Sequence, residues 1–172
     1  MKLSLLTASL LLTGSLYASN AHKISATQEG LVAVQLLDVA LKDKLTEKVQ
    51  ETKMQENAQG MSTMDICITA ANGIMKKMNS ELPAYVKMSI STLDGGDVTN
   101  KTDLEVMNKY AKDIKEKTAG AMLMSSAKVG NTTRVYKPVV IDSEWLNCHD
   151  DKSEVKLGDF KGVLISEISA QH

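Results

Sequence analysis

Two cysteines and a histidine are the residues whose types and positions could carry chemistry. In the stretch SEWLNCHDD, residues 143–151, Cys148 is directly followed by His149, and Cys67 is the other cysteine of the chain. Adjacent Cys and His residues end the attachment motif of c-type haem, where the thiol adds to a vinyl group and the imidazole ligates iron. That motif has a further Cys three positions upstream, where this chain has Trp145. The stretch is therefore compatible with haem attachment through one thioether only.

Three other uses of these residues stay open. A Cys67–Cys148 disulfide suits an oxidising compartment and an even number of cysteines, and composition alone favours it. A zinc or copper site could use both cysteines with His149 and Asp150, although no CxxC or HxxxH spacing supports one. The two thiols could also be buried and inert. The acidic residues from Asp150 to Glu154 lack the EF-hand spacing for calcium, so a solvated loop is the better interpretation.

Enzymatic activity is not expected from this set of residues. Neighbouring side chains diverge, so Cys148 and His149 cannot easily form the thiolate–imidazole pair of a cysteine nucleophile. The two remaining histidines, His22 and His172, lie near the ends of the mature chain. The sequence also lacks a glycine-rich phosphate loop. We therefore expect a protein that binds or transfers electrons and has no catalytic residues.

The N-terminus predicts export to the periplasm. Lys2 precedes a leucine-rich apolar run over residues 3–16 and then small residues, which is the pattern of a secretory signal peptide. We place the cleavage site after Ala21, with Ala18 as the alternative, so residues 22–172 form the mature chain. No later segment is apolar for long enough to span a bilayer. A net charge of −1 and 3% aromatic residues argue against a nucleic-acid partner.

The mature chain has the usual length of one domain, and its patterning predicts helices first and most strands late. The predicted elements are helix 25–57, helix 62–80, strand 85–91, a helix from Thr102 or Asp103 to about 118, strands over 121–128 and 132–142, and a final strand over 158–169. Ser25 with Gln28 and Ser62 with Asp65 are capping pairs, and Cys67 should face inward. Short turns between the late strands favour an antiparallel sheet with the helices on one side.

Four stretches, in this order and spacing, resemble the DUF3365 family of Tll0287-like haem-binding domains. They are MDICITAANGI, VKMSISTL followed by DLEVMNKY, TTRVYKPVVIDSEWLNCHDD, and KLGDFKGVLIS. The resemblance covers about residues 30–168. It implies an α+β fold of the PAS-like type, with an antiparallel sheet and the long N-terminal helices packed on one side.

The resemblance also implies roles for individual residues. Cys148 would form a single thioether to haem c, while His149 and Cys67 would be the two axial ligands of the iron. Further haem contacts would come from nearby side chains, namely Trp145, Arg134, Tyr136 and Lys137. Such a protein would act in electron transfer or in redox or gas sensing, with a redox partner or a membrane signalling protein. Trp145 and Asp150 depart from the family's motif. The alternative is a haem-free exported domain with a Cys67–Cys148 disulfide, serving as a ligand-binding or interaction module.

Overall fold

The computed structural model describes residues 25–55, 62–92, 100–146, 148 and 155–170. The predicted signal peptide, residues 1–21, lies outside these ranges, as do His149, Asp150 and Glu154. The described residues form four helices and four strands. In chain order they are α1 (Ala26–Gln55), α2 (Thr63–Glu81), β1 (Val86–Thr92), α3 (Lys101–Lys115), β2 (Ser125–Val129), β3 (Thr132–Val140), α4 (Ser143–Leu146) and β4 (Phe160–Ser169).

The two long N-terminal helices begin at the predicted capping pairs. At α1, the backbone N–H of Gln28 donates to Ser25 Oγ at 3.2 Å, and the Ser25 N–H donates to Gln28 Oε1 at 3.0 Å. At α2, the Asp65 N–H donates to Ser62 Oγ at 3.1 Å. Each pair satisfies backbone donors that the first helical turn leaves without a partner. Both predicted starts are therefore confirmed.

The start of α3 differs from the prediction, because Asn100 caps this helix instead of Thr102 or Asp103. The side chain of Asn100 accepts a hydrogen bond from the Thr102 N–H at 2.8 Å. The carboxylate of Asp103 is bound elsewhere, since it accepts hydrogen bonds from Arg134 and Tyr136 of β3. Asn is as good an N-cap as Asp, and this choice leaves the acidic side chain for the sheet.

The strands form one antiparallel sheet in the order β1-β4-β3-β2. The last strand of the chain therefore lies between β1 and β3. Strand β2 begins at Ser125, later than the predicted residue 121, and Gly130 with φ 59° makes the tight turn to β3. Glycine adopts this left-handed conformation without steric cost. The predicted α+β class with an antiparallel sheet is confirmed.

Apolar side chains cover both faces of the sheet, and each face packs against different helices. Because side chains alternate along a strand, Val135 faces α1 while its neighbour Tyr136 faces α3. The predicted packing of the two N-terminal helices on one side is confirmed. The expectation that all helices lie on one side is wrong for α3, which lies on the opposite face. The larger core, beneath α1 and α2, includes Val34, Leu37, Leu41, Cys67, Met88, Val135, Cys148, Leu164 and Ile168. The smaller core, beneath α3, consists of Met107, Tyr110, Tyr136, Val163 and Ile165.

A side chain from α2 occupies the outer edge of β1. Asn79 donates from Nδ2 to the carbonyl oxygen of Met88 at 2.9 Å, and its Oδ1 accepts the Met88 N–H at 2.7 Å. The amide thus pairs with the strand backbone as a neighbouring strand would. This edge is blocked at Met88, which limits pairing with another chain.

Candidate functional site

The two cysteines are joined by a disulfide. Cys67 lies in the first half of α2, and Cys148 lies just beyond the end of α4. The sulfur atoms are 2.10 Å apart and the two Cα atoms are 5.7 Å apart. Both residues are only 4% exposed and belong to the larger core. The inward position predicted for Cys67 is confirmed. The bond joins the two cysteines that composition alone favoured as a disulfide.

A short helical turn presents Cys148 to α2. The carboxylate of Asp142 accepts a hydrogen bond from the Trp145 N–H at 3.0 Å, and so caps the start of α4. Trp145 packs, partly buried, against the same core that contains the disulfide. The hydroxyl of Ser143 donates to the neighbouring Glu144 carboxylate and takes no part in the cap. The turn at residues 142–146 thus directs the indole and Cys148 towards the core.

An ion pair fastens this turn to α1. Lys42 Nζ lies 2.6 Å from Asp142 Oδ2. Burial acts to lower the pKa of Lys42, but the hydrogen bond to Asp142 and the nearby carboxylates raise this pKa above its usual value. Burial likewise acts to raise the pKa of Asp142, yet the bonds from Lys42 and from the Trp145 N–H lower it. Both side chains are therefore charged over a wider pH range than in the unfolded chain.

A second carboxylate joins the same α1 lysine to the sheet. The buried side chain of Asp38 lies 3.6 Å from Lys42 Nζ and 3.4 Å from Lys137 Nζ. These groups and Trp145 line a cavity of about 140 Å³. Ligand pockets for small molecules usually start at about 300 Å³. This cavity, whose lining includes neither cysteine, is therefore smaller than the usual ligand pocket.

The disulfide and the predicted haem chemistry need the same two sulfur atoms. A thioether needs the Cys148 sulfur, and iron ligation needs the Cys67 sulfur as a thiolate, but each sulfur is bonded to the other. The same bond removes the thiolates that a zinc or copper site would use. His149 lies outside the described residues. The haem assignment therefore stays a prediction.

The remaining predicted contacts lie on two different faces of the sheet. Lys137 lies on the face of α1 and the disulfide, where it pairs with Asp38. Arg134 and Tyr136 lie on the opposite face, beneath α3, because alternate residues of β3 point in opposite directions. The structure thus brings Lys137 and Trp145 together near the disulfide. It places Arg134 and Tyr136 in a separate polar cluster.

This second cluster is built around Asp103. Arg134 donates to Asp103 and to Glu167, and the Tyr136 hydroxyl donates to Asp103 Oδ1 at 2.7 Å. Burial and the hydrogen bond to Asp103 raise the pKa of Tyr136 well above its usual value, so the phenol stays protonated. Burial opposes the charge of Arg134, but its two carboxylate partners raise its pKa. The cluster therefore holds α3 against the sheet through the bonds of Asp103 to Arg134 and Tyr136.

Sequence reasoning missed several of these polar residues. Lys42 and Asp38 were assigned only to a long helix, and Asp103 was considered only as a cap. Strand alternation in TTRVYKPVV was the available signal, since it separates Arg134 and Tyr136 from Lys137. The partners on α1 and α3 could not be identified in this way, because helix packing is decided between distant parts of the chain.

Comparison with family models, with curated proteins and with solved structures yields no match for this chain. The resemblance to the haem-binding family therefore stays a prediction, and it rests on the sequence stretches alone. Within the described part of the chain, no helix has the length and apolar character needed to cross a membrane. The same described residues contain no cluster of three or more His, Cys, Asp or Glu side chains that could hold a metal ion.

Proposed function

We propose that this protein is an exported, haem-free domain whose Cys67–Cys148 disulfide holds the fold together, and that it serves as a ligand-binding or interaction module. The observation that carries the proposal is the bond between the two sulfurs. Covalent haem attachment would use the sulfur of Cys148, and the predicted iron ligation would use that of Cys67. Because the disulfide uses both sulfurs, the two roles exclude each other within one molecule.

The predicted destination of the chain supports a lasting disulfide. The leucine-rich N-terminus predicts secretion, and we assign the mature domain to the periplasm. Disulfides form and persist in that oxidising compartment. Both cysteines are buried, which limits attack by an external thiolate. A buried bond in an oxidising compartment is expected to have a structural role.

The surroundings of the disulfide support a scaffold role for this part of the molecule. Lys42 pairs with Asp142 and Asp38, and Lys137 pairs with Asp38, so the charges near the sulfurs join α1 to β3 and to α4. The adjoining cavity of about 140 Å³ is small. We therefore assign ligand or partner binding to another surface of the domain.

The test is a thiol count and an absorption spectrum of the exported protein. The chain is expressed with its own leader in a host that carries cytochrome c maturation genes, and intact mass is measured before and after reduction. We expect no Soret band, no thiol that reacts in the denatured unreduced protein, and a mass lower than that of the reduced chain by the hydrogens lost on closure. The matched single variants Cys67→Ser and Cys148→Ser should each expose one reactive thiol on denaturation.

The opposite result would support the haem prediction instead. A Soret band that survives acid–acetone extraction would demonstrate a thioether, and its loss in Cys148→Ser would assign the anchor. A Cys67→Ser variant that keeps the haem but changes its spectrum would assign the second iron ligand. A Soret band that survives extraction of the unmodified protein would by itself overturn the disulfide-based proposal.

A further inference from the structure

The two edges of the sheet differ in how far they are covered. The β1 edge is blocked at Met88 by the side chain of Asn79. Strand β2 forms the other edge, and among the described residues it pairs only with β3. An edge strand presents alternate backbone N–H and C=O groups that can pair with another extended chain. The β2 edge is thus the place where such a chain could add.

A groove between β2 and α3 runs beside this edge. Ser125 and Ala127 face α3, because they pair with Tyr136 and Arg134, which lie on that face. Ser125 lines a cavity of about 320 Å³, within the range of ligand pockets. Its apolar lining includes Val106, Ala121, Leu123 and Met124.

The wall of the groove includes an apolar side chain that the fold leaves uncovered. Leu123 is 69% exposed, and its carbonyl oxygen is held 2.9 Å from the Tyr110 hydroxyl. The same hydroxyl lies 2.8 Å from Ser125 Oγ. These bonds fix the segment before β2 against α3, so the exposed leucine stands on a supported backbone. Burying it against an apolar side chain of a partner would be favourable.

The chain segment around the groove is positively charged, whereas the two charged residues that line the cavity, Lys109 and Asp113, pair with each other. Between residues 109 and 128 there are five lysines, at positions 109, 112, 115, 117 and 128, against the two acidic residues Asp113 and Glu116, which leaves +3. The whole chain has a net charge of −1. This local excess attracts acidic segments and disfavours basic ones.

We propose that the groove between α3 and β2 binds an extended acidic peptide segment of another protein, which adds to the free edge of β2 and places one apolar side chain in the cavity. Backbone pairing along an edge strand supplies affinity in this mode of recognition, and a pocket for alternate side chains supplies specificity. The inference rests on the proposed function, since it names the partner class of an interaction module.

The experiment selects peptides from a random displayed library against the mature, disulfide-bonded protein. We expect enriched sequences with one apolar residue among acidic residues. A synthetic copy of an enriched peptide, titrated into isotope-labelled protein, should shift the amide resonances of residues 123–129 and of the facing turn of α3. Affinity should fall as salt concentration rises, because the lysines supply part of the attraction. Absence of any enriched sequence would overturn the proposal.

Two matched pairs of variants decide whether binding occurs in this groove. Leu123→Asp removes an apolar wall and adds a repelling charge, and should weaken binding about tenfold or more. Leu157→Asp alters a leucine that is 66% exposed elsewhere, and should leave binding unchanged. Lys109→Glu, in the lining of the groove, should weaken binding several-fold, and Lys87→Glu on β1 should not.

Equal binding by Leu123→Asp and the unmodified protein, or amide shifts confined to another surface, would also overturn the proposal. The result is separable from the test of the disulfide. Free thiols or bound haem would overturn the proposed disulfide and leave the peptide-binding measurement valid. Absence of peptide binding by protein with an intact disulfide would overturn only the proposal of peptide binding in the groove.

Discussion

At the residue scale, the carboxylate of Asp103 joins α3 to the sheet. It accepts hydrogen bonds from Arg134 and Tyr136, and Arg134 also binds Glu167 of β4. Asp103 is buried, so loss of its carboxylate would leave a half-buried guanidinium and a buried phenol without this partner. The cost of such a loss exceeds that of breaking an exposed ion pair, because water cannot easily replace the partner.

We predict that Asp103→Ala lowers the free energy of unfolding by about 2 kcal/mol. This loss is smaller than that for a fully buried ion pair, because Arg134 keeps some solvent contact. The matched control on the same helix is Glu105→Ala, which breaks only the exposed pair with Lys101. The control should cost less than about 0.5 kcal/mol. Urea denaturation followed by circular dichroism measures both values. Equal effects of the two substitutions would contradict the proposed role of Asp103.

The pair of Lys42 and Asp142 predicts a pH dependence. Because the folded state lowers the pKa of Asp142 from its ordinary value of 3.8, the pair contributes fully above that value. The contribution is lost as the pH falls through the lowered pKa. Asp142→Asn should therefore be less stable than the unmodified protein at neutral pH, by less than about 1 kcal/mol, since both side chains are partly exposed. Urea titrations from neutral to acid pH should show this difference shrinking, and a constant difference would contradict it.

At the scale of elements, α2 contributes more than an apolar face to the fold. Its residue Asn79 makes two hydrogen bonds to the backbone of Met88 and so substitutes for a neighbouring strand. The same helix also carries Cys67, whose disulfide joins it to the turn after α4. The helix therefore ties an edge of the sheet and a distant turn to the same layer.

We predict that Asn79→Ala destabilises the protein by about 1 to 2 kcal/mol, because it leaves two backbone groups of β1 without their partners. Asn79→Asp should restore little, since it keeps the acceptor for the Met88 N–H but sets a carboxylate against the Met88 carbonyl. Asn108→Ala, on the exposed side of α3, is the control and should be nearly neutral. Amide hydrogen exchange at Met88 would report the local effect. Unchanged protection there in Asn79→Ala would rule out the edge-blocking role.

At the scale of the whole molecule, the disulfide spans a sequence separation of 81 residues. Closing a loop of this length restricts the unfolded chain strongly, and the chain-entropy account gives a stabilisation of about 4 kcal/mol. For a domain whose total stability is of the order of 5 to 15 kcal/mol, this is a large fraction. The oxidised and reduced proteins should therefore differ clearly in stability.

We predict that the double variant Cys67→Ala/Cys148→Ala unfolds at a lower temperature than the oxidised protein, with a loss of about 2 to 5 kcal/mol. The unmodified protein kept in reductant is the control, and it should match the double variant apart from the small change in packing. Thermal unfolding followed by circular dichroism gives both midpoints. Midpoints that coincide in all three samples would show that the bond does not stabilise the fold.

Much of the fold could be predicted because the relevant signals are local. Capping pairs such as Ser25 with Gln28 and apolar periodicity along α1 depend on residues a few positions apart. The position of α3 on the opposite face could not be predicted in this way, since both faces of β3 are apolar. Tyr136 and Val135 are adjacent in sequence, yet they belong to different cores.

The candidate site was harder to predict because one pair of residues suits two chemistries. Cys67 and Cys148 were identified together, but a disulfide and a single-thioether haem need the same sulfurs. Residue types alone do not separate these uses. The Cα distance of 5.7 Å in the folded chain suits a disulfide, which requires Cα atoms within about 7 Å. No sequence pattern predicted that Asn79 blocks the edge of β1, because the partners of Asn79 are backbone atoms of that strand.

The disulfide also makes part of the chain a covalent ring. The ring runs from Cys67 to Cys148 and includes β1, α3, β2 and β3, whereas β4 enters the sheet from outside it. A protease that cuts the ring once opens it but releases no fragment, because the sulfur bridge still joins the two parts. The pairing of β4 with both β1 and β3 holds them in register as well. A single cut in the ring would therefore leave the two pieces together until the disulfide is reduced and the sheet is unfolded.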